Sequence, residues 1–539
     1  MKIYKRAIPI ITAISAAVLV SCGSGGAIIS PPIENIDSTP LKSLDLTETE
    51  KENWKDYDLS TDTIPGMSIN RAYEEIIKNK KGKTVVVAVI DSGVDVGHED
   101  LDDVIWVNKD EIPGNGKDDD NNGYIDDIHG WNFLGDVTKE NLEYERILRD
   151  RANLPADMVA KAQKEFDKKK AKAQMENPSY NQILQQVNTY DPILIKATGK
   201  DEYIKEDVAK IDSQVEEVQK AKAFANFLFS QGVSSMVEAR KELTKLIDGN
   251  NALLDGSALT TNYREDILGD NPYKWDTPVY GNNKYSGPDP EMEGAMHGTH
   301  VAGIIAAERN NGMGANGVAN NAKIMVLRAV PDGDEYDKDI AMAIRYAADN
   351  GAKVINGSFG KYHSTHPEWV WDALKYAASK DVLFVNAAGN EALSTDETQV
   401  FPQDQELAGP EVSDNFITVG ALNYEYGSDL VANFSNYGKS SVDVFAPGAQ
   451  IYSTAPNNEY ITIGGTSMAA PGVAGIAAMI RSYYPKLTAG KVKQVLKDSG
   501  VPTAARVKVG GEETKPFSEL SSSGKMVNLY NALILASKM

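Results

Sequence analysis

Three residues of this chain, set far apart and each embedded among glycines and small residues, have side chains that can together break a covalent bond. Asp91 closes the run Val89-Ile90-Asp91-Ser92-Gly93-Val94-Asp95. His297 opens His297-Gly298-Thr299-His300-Val301-Ala302-Gly303-Ile304. Ser467 lies in Gly464-Gly465-Thr466-Ser467-Met468-Ala469-Ala470-Pro471. Singly, each has an ordinary explanation: a strand-end cap, a satisfied core histidine, a helix N-cap. Together they stand in the chain order Asp, His, Ser, one of the known orders of a catalytic triad. A serine hydroxyl is a poor nucleophile until a neutral imidazole removes its proton during attack. A carboxylate on the other ring nitrogen fixes the tautomer and stabilises the imidazolium without itself taking the proton. The expectation is acyl transfer with Ser467 as nucleophile, His297 as general base and Asp91 as the orienting carboxylate. For His300 a core or turn role is expected.

Such groups need elements to hold them. Thr84 to Ile90 is a continuous β-branched run, as expected of a parallel strand covered on both faces. Similar runs at Ala322 to Ala329, Lys353 to Asn356, Val382 to Ala388 and Phe416 to Val419 alternate with helical stretches at Ile340 to Ala348 and Glu368 to Ser379. The fold class is therefore α/β, a mostly parallel sheet flanked by helices. Ligands of such sheets gather at the carboxyl ends of strands, which points to Asp91, Ser358 and Asn390. Residues 135–285, rich in Lys, Glu, Asp and Gln, interrupt the alternation and read as an inserted helical module. Within it Ile204, Val208, Ile211, Val215 and Val218 predict the seam of one helix. The composition, 42% hydrophobic, 8% aromatic and 24% charged, is that of an ordinary folded protein. A formal net charge of -22 disfavours nucleic acid as a partner, and one cysteine in 539 residues rules out an internal disulfide.

The stretches Asp91-Ser92-Gly93, His297-Gly298-Thr299-His300 and Gly465-Thr466-Ser467-Met468-Ala469 closely resemble those of subtilisin-like serine proteases. The resemblance spans residues 54–134 and 286–539, including Gly524-Lys525-Met526-Val527-Asn528, and leaves the helical segment between them as a large insert. It implies a subtilisin-like fold, serine endopeptidase activity and polypeptide substrates. It also implies that Asn390, in Ala387-Ala388-Gly389-Asn390-Glu391, donates to the oxyanion with the Ser467 backbone N–H. Ser358, Phe359 and Gly360 match a segment that pairs with extended substrate. Phe359, with Ala388 and Gly389, is expected to shape the pocket for the residue ahead of the cleaved bond, although Phe359 also reads as core and Glu391 at the rim would favour a basic residue. Gly472 stands where many relatives carry a histidine outside the triad.

Asp118, Asp120, Asn122, Tyr124 and Asp126 alternate around Gly123, the first half of a loop like that of an EF-hand, and predict structural Ca2+. His129 stands at the twelfth position, so another ligand such as Asp127 is required; an acidic surface turn is the plain alternative. Asp100 matches a position that ligates calcium in many relatives, with Asn310 and Asn311 as candidate neighbours. At the start of the chain, Lys2, Lys5 and Arg6 precede the apolar run Ala7 to Val20, a signal peptide ending at residue 22. Leu19-Val20-Ser21-Cys22-Gly23 resembles a bacterial lipobox. It implies lipidation of Cys22 and an exported protein tethered to the bacterial cell envelope, at the outer membrane, on its periplasmic or surface face, with residues 23–53 as a flexible spacer. Two rival functions remain. A metallopeptidase using His297 and His300 would lack a third ligand and the His-Glu-x-x-His pattern. A catalytically silent protein, or one whose cleft the insert occludes, would keep the scaffold for binding alone.

Overall fold

The structure is a computed structural model that describes residues 27–40, 42, 45–230, 233–276, 279–405, 409–511 and 513–539. The signal segment 1–22, with Cys22, lies outside the described residues. Thirteen strands are formed among the described residues: β1 Val85–Asp91, β2 Gly130–Asn132, β3 Ala322–Arg328, β4 Val354–Gly357, β5 Leu383–Ala387, β6 Phe416–Leu422, β7 Val444–Pro447, β8 Ile451–Ala455, β9 Glu459–Ile463, β10 Val501–Pro502, β11 Arg506–Val509, β12 Glu513–Pro516 and β13 Lys525–Met526. Nine of them make one sheet in the order β10-β13-β7-β6-β5-β4-β1-β3-β2. Every pairing in it is parallel except that of β10 with β13.

The apolar run of β1 explains the layering. Successive side chains of a strand point to opposite faces. Val85, Val87 and Val89 enter one core with the helices Met296–Ala306 and Thr466–Tyr483. Ala88 and Ile90 enter a second core with the helices Asp337–Asp349 and Pro367–Ser379. The sheet order reverses at β1, which pairs β3 on one side and β4 on the other. That reversal opens a crevice at the carboxyl ends of β1 and β4, where connections depart to opposite faces.

Between β2 and β3 the chain runs through the helices Glu143–Arg149, Ala156–Thr198, Lys205–Ala209, Glu216–Ser230, Met236–Asp255 and Tyr263–Ile267. The expected single seam is not formed. The helices on either side of Lys210–Val215 are separate, and Ile204 and Val215 are 52% and 58% exposed. Val208 and Ile211 are the members buried against the long helix. Asp212 and Ser213 interrupt the periodicity, as residues that favour turns and caps over helix interiors do. The root of this helical module is held to the helix Asp337–Asp349 by buried ion pairs. Arg264 forks onto Asp339 at 2.6 and 2.8 Å, and Lys338 meets Asp270 at 2.7 Å.

The flexible spacer expected over 23–53 is also corrected where it is described. Ile33 and Ile36 are 8% and 1% exposed, and Ile33 exchanges hydrogen bonds with the Asn531 carboxamide at 2.7 and 3.0 Å. Two isoleucines among Ser, Pro and Thr suffice to dock the strap, because each removes a full apolar side chain from water. Composition averages hide them.

Candidate active site

Asp91 ends β1 and His297 is the second residue of its helix, so the crevice receives both side chains. His297 Nδ1 lies 2.8 Å from Asp91 Oδ1, which also accepts the Ser92 N–H at 2.7 Å. The approach requires Gly298: a Cβ there would lie 2.1 Å from the Gly93 carbonyl oxygen. Asp91 is buried, whereas a third of the His297 side chain stays open to the cleft. Burial opposes charge on the ring, but the Asp91 carboxylate and its hydrogen bond outweigh that penalty and hold the His297 pKa above the ordinary imidazole value.

His300 serves otherwise. Its Nε2 is 3.1 and 3.2 Å from the carbonyl oxygens of Ile451 and Ile461, tying the helix to the hairpin of β8 and β9. Burial pushes its pKa down to about 4, so the ring is neutral.

Ser467 is the second residue of a helix that packs against the His297 helix. Its backbone N–H belongs to the first turn, where donors have no intrahelical acceptor and the helix dipole favours negative charge. Five residues into the same helix, Pro471 lacks the N–H that would bond the Ser467 carbonyl. That carbonyl instead accepts the Ser358 hydroxyl at 2.8 Å, while Ser467 Oγ donates to the Ser358 carbonyl at 3.2 Å. The resting hydroxyl therefore faces Ser358.

Asn390 follows β5. Its Oδ1 accepts the Thr466 N–H at 2.8 Å and the Thr466 hydroxyl at 3.0 Å, which leaves Nδ2 without a protein acceptor among the described residues. Gly389 has a φ of +99°, and a Cβ on it would meet Asn436 Nδ2 at 2.3 Å. The turn is thus reserved for glycine by both conformation and space.

The expected substrate residues divide. Gly360 is exposed, with the Phe401 carbonyl oxygen 3.2 Å from where a Cβ would stand. Ser358 holds the Ser467 backbone, and Ala388 extends the ladder by donating to the Val419 carbonyl at 3.0 Å. Phe359 follows β4 and lies in the second core at 8% exposure. Four contributions were not assigned from the sequence: Thr466 as donor to Asn390, Pro471 as the residue that frees the Ser467 carbonyl, Ser358 as a clamp, and Arg328. Arg328 sits beside Asp91 in register and donates to the carbonyls of Ser92 at 3.0 Å and Val137 at 2.8 Å. A lone arginine at a strand end looks like any surface cation until its neighbours are known.

The acidic loop differs from the alternating pattern. Asn121 and Asp126 have φ values of 59° and 52°, which turn the chain so that Asp127 points inward. Asp126 instead accepts the backbone N–H groups of Asn115 and Gly116 at 3.2 and 2.8 Å, and Asp118 accepts those of Asn122 and Gly123 at 3.1 and 2.9 Å. The Tyr124 ring packs on Trp131 with centroids 5.0 Å apart. The carboxylates that converge, within 4.8 Å of one another, are Glu111, Asp120 and Asp127, with the Asn122 carboxamide bonded to both aspartates. Asp100 is buried and accepts from Asn311 Nδ2 at 2.7 Å and from the Ala315 N–H at 3.0 Å.

A model of the subtilase peptidase family, S8, matches residues 82–516. The chain belongs to the subtilase family. This subtilase is 47% identical over 196 residues to the thermophilic serine proteinase of Bacillus sp. (strain AK1), covering 36% of this chain and 44% of that protein. It is 39% identical over 234 residues to the cell wall-associated protease of Bacillus subtilis (strain 168), covering 43% of this chain and 24% of that one. The chain thus spans less than half the length of these curated relatives. Among solved structures, a cold adapted subtilisin-like serine proteinase aligns with 30% identity and a TM-score of 0.34, over 44% of this chain and 74% of the other.

Proposed function

We propose that this subtilase is a serine endopeptidase that hydrolyses peptide bonds of proteins through an acyl-enzyme. Ser467 Oγ attacks the scissile carbonyl carbon as His297 Nε2 takes its proton. The oxyanion is received by Asn390 Nδ2 and the Ser467 N–H. Collapse breaks the C–N bond, and the imidazolium gives its proton to the leaving amine. Water then repeats the sequence on the ester and frees Ser467. The observation that carries this reading is the 2.8 Å contact between Asp91 and His297 at the strand end facing the Ser467 helix.

A cation fits the chemistry of Glu111, Asp120 and Asp127, an all-oxygen donor set suited to Ca2+. There it would neutralise converging carboxylates and pin the loop to β2. At Asp100 the Asn311 carboxamide would have to turn its oxygen inward. Stabilisation then depends on mass action, so EGTA should lower the Tm, and added Ca2+ should restore it. A Tm indifferent to both would argue against calcium at either place.

Export and tethering through Cys22 rest on the residues Leu19 to Gly23; among the described residues no helix is long and apolar enough to cross a membrane. One experiment addresses both activity and place. A fluorophosphonate probe should label the membrane fraction at Ser467, and Cys22→Ala should move the labelled protein to the soluble fraction. Labelling retained by Ser467→Ala would refute the nucleophile, and unchanged partition would refute the tether.

A further inference from the structure

The turn after Asp91 sets where the triad carboxylate meets the histidine helix. Asp91 is the last residue of β1, and its Oδ1 accepts the Ser92 N–H at 2.7 Å. One residue further, the Gly93 carbonyl lies against Gly298, where a Cβ would stand 2.1 Å from it. The two peptide groups that flank Ser92 are both pinned from the end of β3. The Asp91 carbonyl accepts the backbone N–H groups of Ala329 and Val330 at 2.9 and 3.2 Å. The Ser92 carbonyl accepts Arg328 Nε at 3.0 Å.

The same guanidinium reaches both ends of the helical module. At its entry, Arg328 Nη1 donates to Asn132 Oδ1 at 3.0 Å and to the Gly135 carbonyl at 3.2 Å, and Nη2 donates to the Val137 carbonyl at 2.8 Å. At its exit, the Tyr285 carbonyl accepts the Val94 N–H at 3.2 Å, and a Cβ on Gly287 would stand 3.0 Å from Arg328 Nε. Arg328 is 3% exposed. Burying a charge is costly unless its donors are used, and here Nε, Nη1 and Nη2 are spent on three carbonyls and a carboxamide. A planar fork also fixes its acceptors relative to one another, which the point charge of a lysine does not. The charged groups about the fork are Asp91, in register on β1, and Asp136, which is itself paired with Lys284 at 2.8 Å.

We propose that Arg328 is a positioning residue of the peptidase site, which fixes the Ser92–Gly93 turn, and through it the Asp91 carboxylate, to the two ends of the helical module. This rests on the peptidase reading above. Arg328 acts only through Ser92. The aim of the triad carboxylate thereby depends on a module that contributes no triad residue, and a misplacement of about 1 Å in such a support costs on the order of 10^2-fold in rate.

The test uses the full-length protein and a peptide substrate. Arg328→Lys keeps the charge but cannot span four acceptors, so kcat should fall by about ten- to a hundredfold while KM changes by less than about twofold. The acid limb of kcat/KM should also move to lower pH. Asp91 raises the His297 pKa, and the neighbouring His300 is neutral, so a carboxylate held less closely raises it less. Gly287→Ala crowds Nε without removing a donor and should move kcat and the acid limb in the same directions; it decides the matter if Arg328→Lys does not fold. An unmoved acid limb in a folded variant, or a loss confined to KM, would overturn the positioning role. So would failure of both variants to fold, which would make the arginine a residue of stability alone. A wild type that cleaves no peptide would overturn the peptidase reading instead.

Discussion

Asp91→Asn is expected to lower kcat by about 10^4 with little change in KM or fold, the size of effect seen when a triad aspartate is made neutral. The residue is 1% exposed and its Oδ1 lies 2.8 Å from His297 Nδ1. An amide of the same shape presents an N–H there and stabilises the tautomer that carries its proton on Nε2, where the serine proton must go. The pH profile supplies a second reading. The reactive ring is neutral, so activity is full above the His297 pKa and falls as pH drops through it. Asp91 holds that pKa above the ordinary 6.5 against the opposing effect of burial. The acid limb of kcat/KM should therefore lie above 6.5 in the wild type. It should move to lower pH in Asp91→Asn, where burial acts alone. A limb that stays in place, or a loss smaller than about tenfold, would show that another group orients the histidine.

Asn390→Ala should cost about 2.7 to 4 kcal/mol of transition-state stabilisation, or about 10^2 to 10^3 in kcat, a magnitude measured for such a donor in a subtilisin. KM should hardly change, because the donor meets an oxygen that is charged only in the transition state. The alanine variant also removes the acceptor for the Thr466 N–H and hydroxyl. Asn390→Asp separates these effects, since it keeps the acceptor and loses the donor. Equal loss in both variants assigns the role to Nδ2. Retention of activity by Asn390→Asp would reduce Asn390 to an anchor for the Ser467 helix.

Several parts of this molecule were legible from residue order. Continuous β-branched runs correspond to β1, β3, β4, β5 and β6 within a residue or two at most boundaries, because strands buried on both faces carry an unbroken apolar signal. The short strands β2, β10 and β13 were not legible. Two or three residues carry no period, and their pairing is decided by neighbours far away in the chain. The meeting of Asp91 and His297 could be read from strand-end chemistry and from the resemblance of their motifs. The clamp of Ser358 on the Ser467 carbonyl could not, since it depends on Pro471 freeing that carbonyl and on β4 ending beside it.

The acidic loop and the helical module separate the two kinds of information most clearly. Residue types and spacing alone determined that residues 118–126 are an oxygen-rich loop, that residues 135–285 are a helical insert, and that Asp91, His297 and Ser467 stand in the order of a catalytic triad, while the resemblance of their motifs added Asn390. Only the tertiary structure decided that Asp127 rather than Asp126 joins Glu111 and Asp120, that Phe359 lies in the core, and that Lys241 and Lys245 of one helix pair with Glu293 and Asp332. Each of these turns on the sign of a single dihedral or on a contact between residues tens to hundreds of positions apart, and neither leaves a periodic trace in the chain.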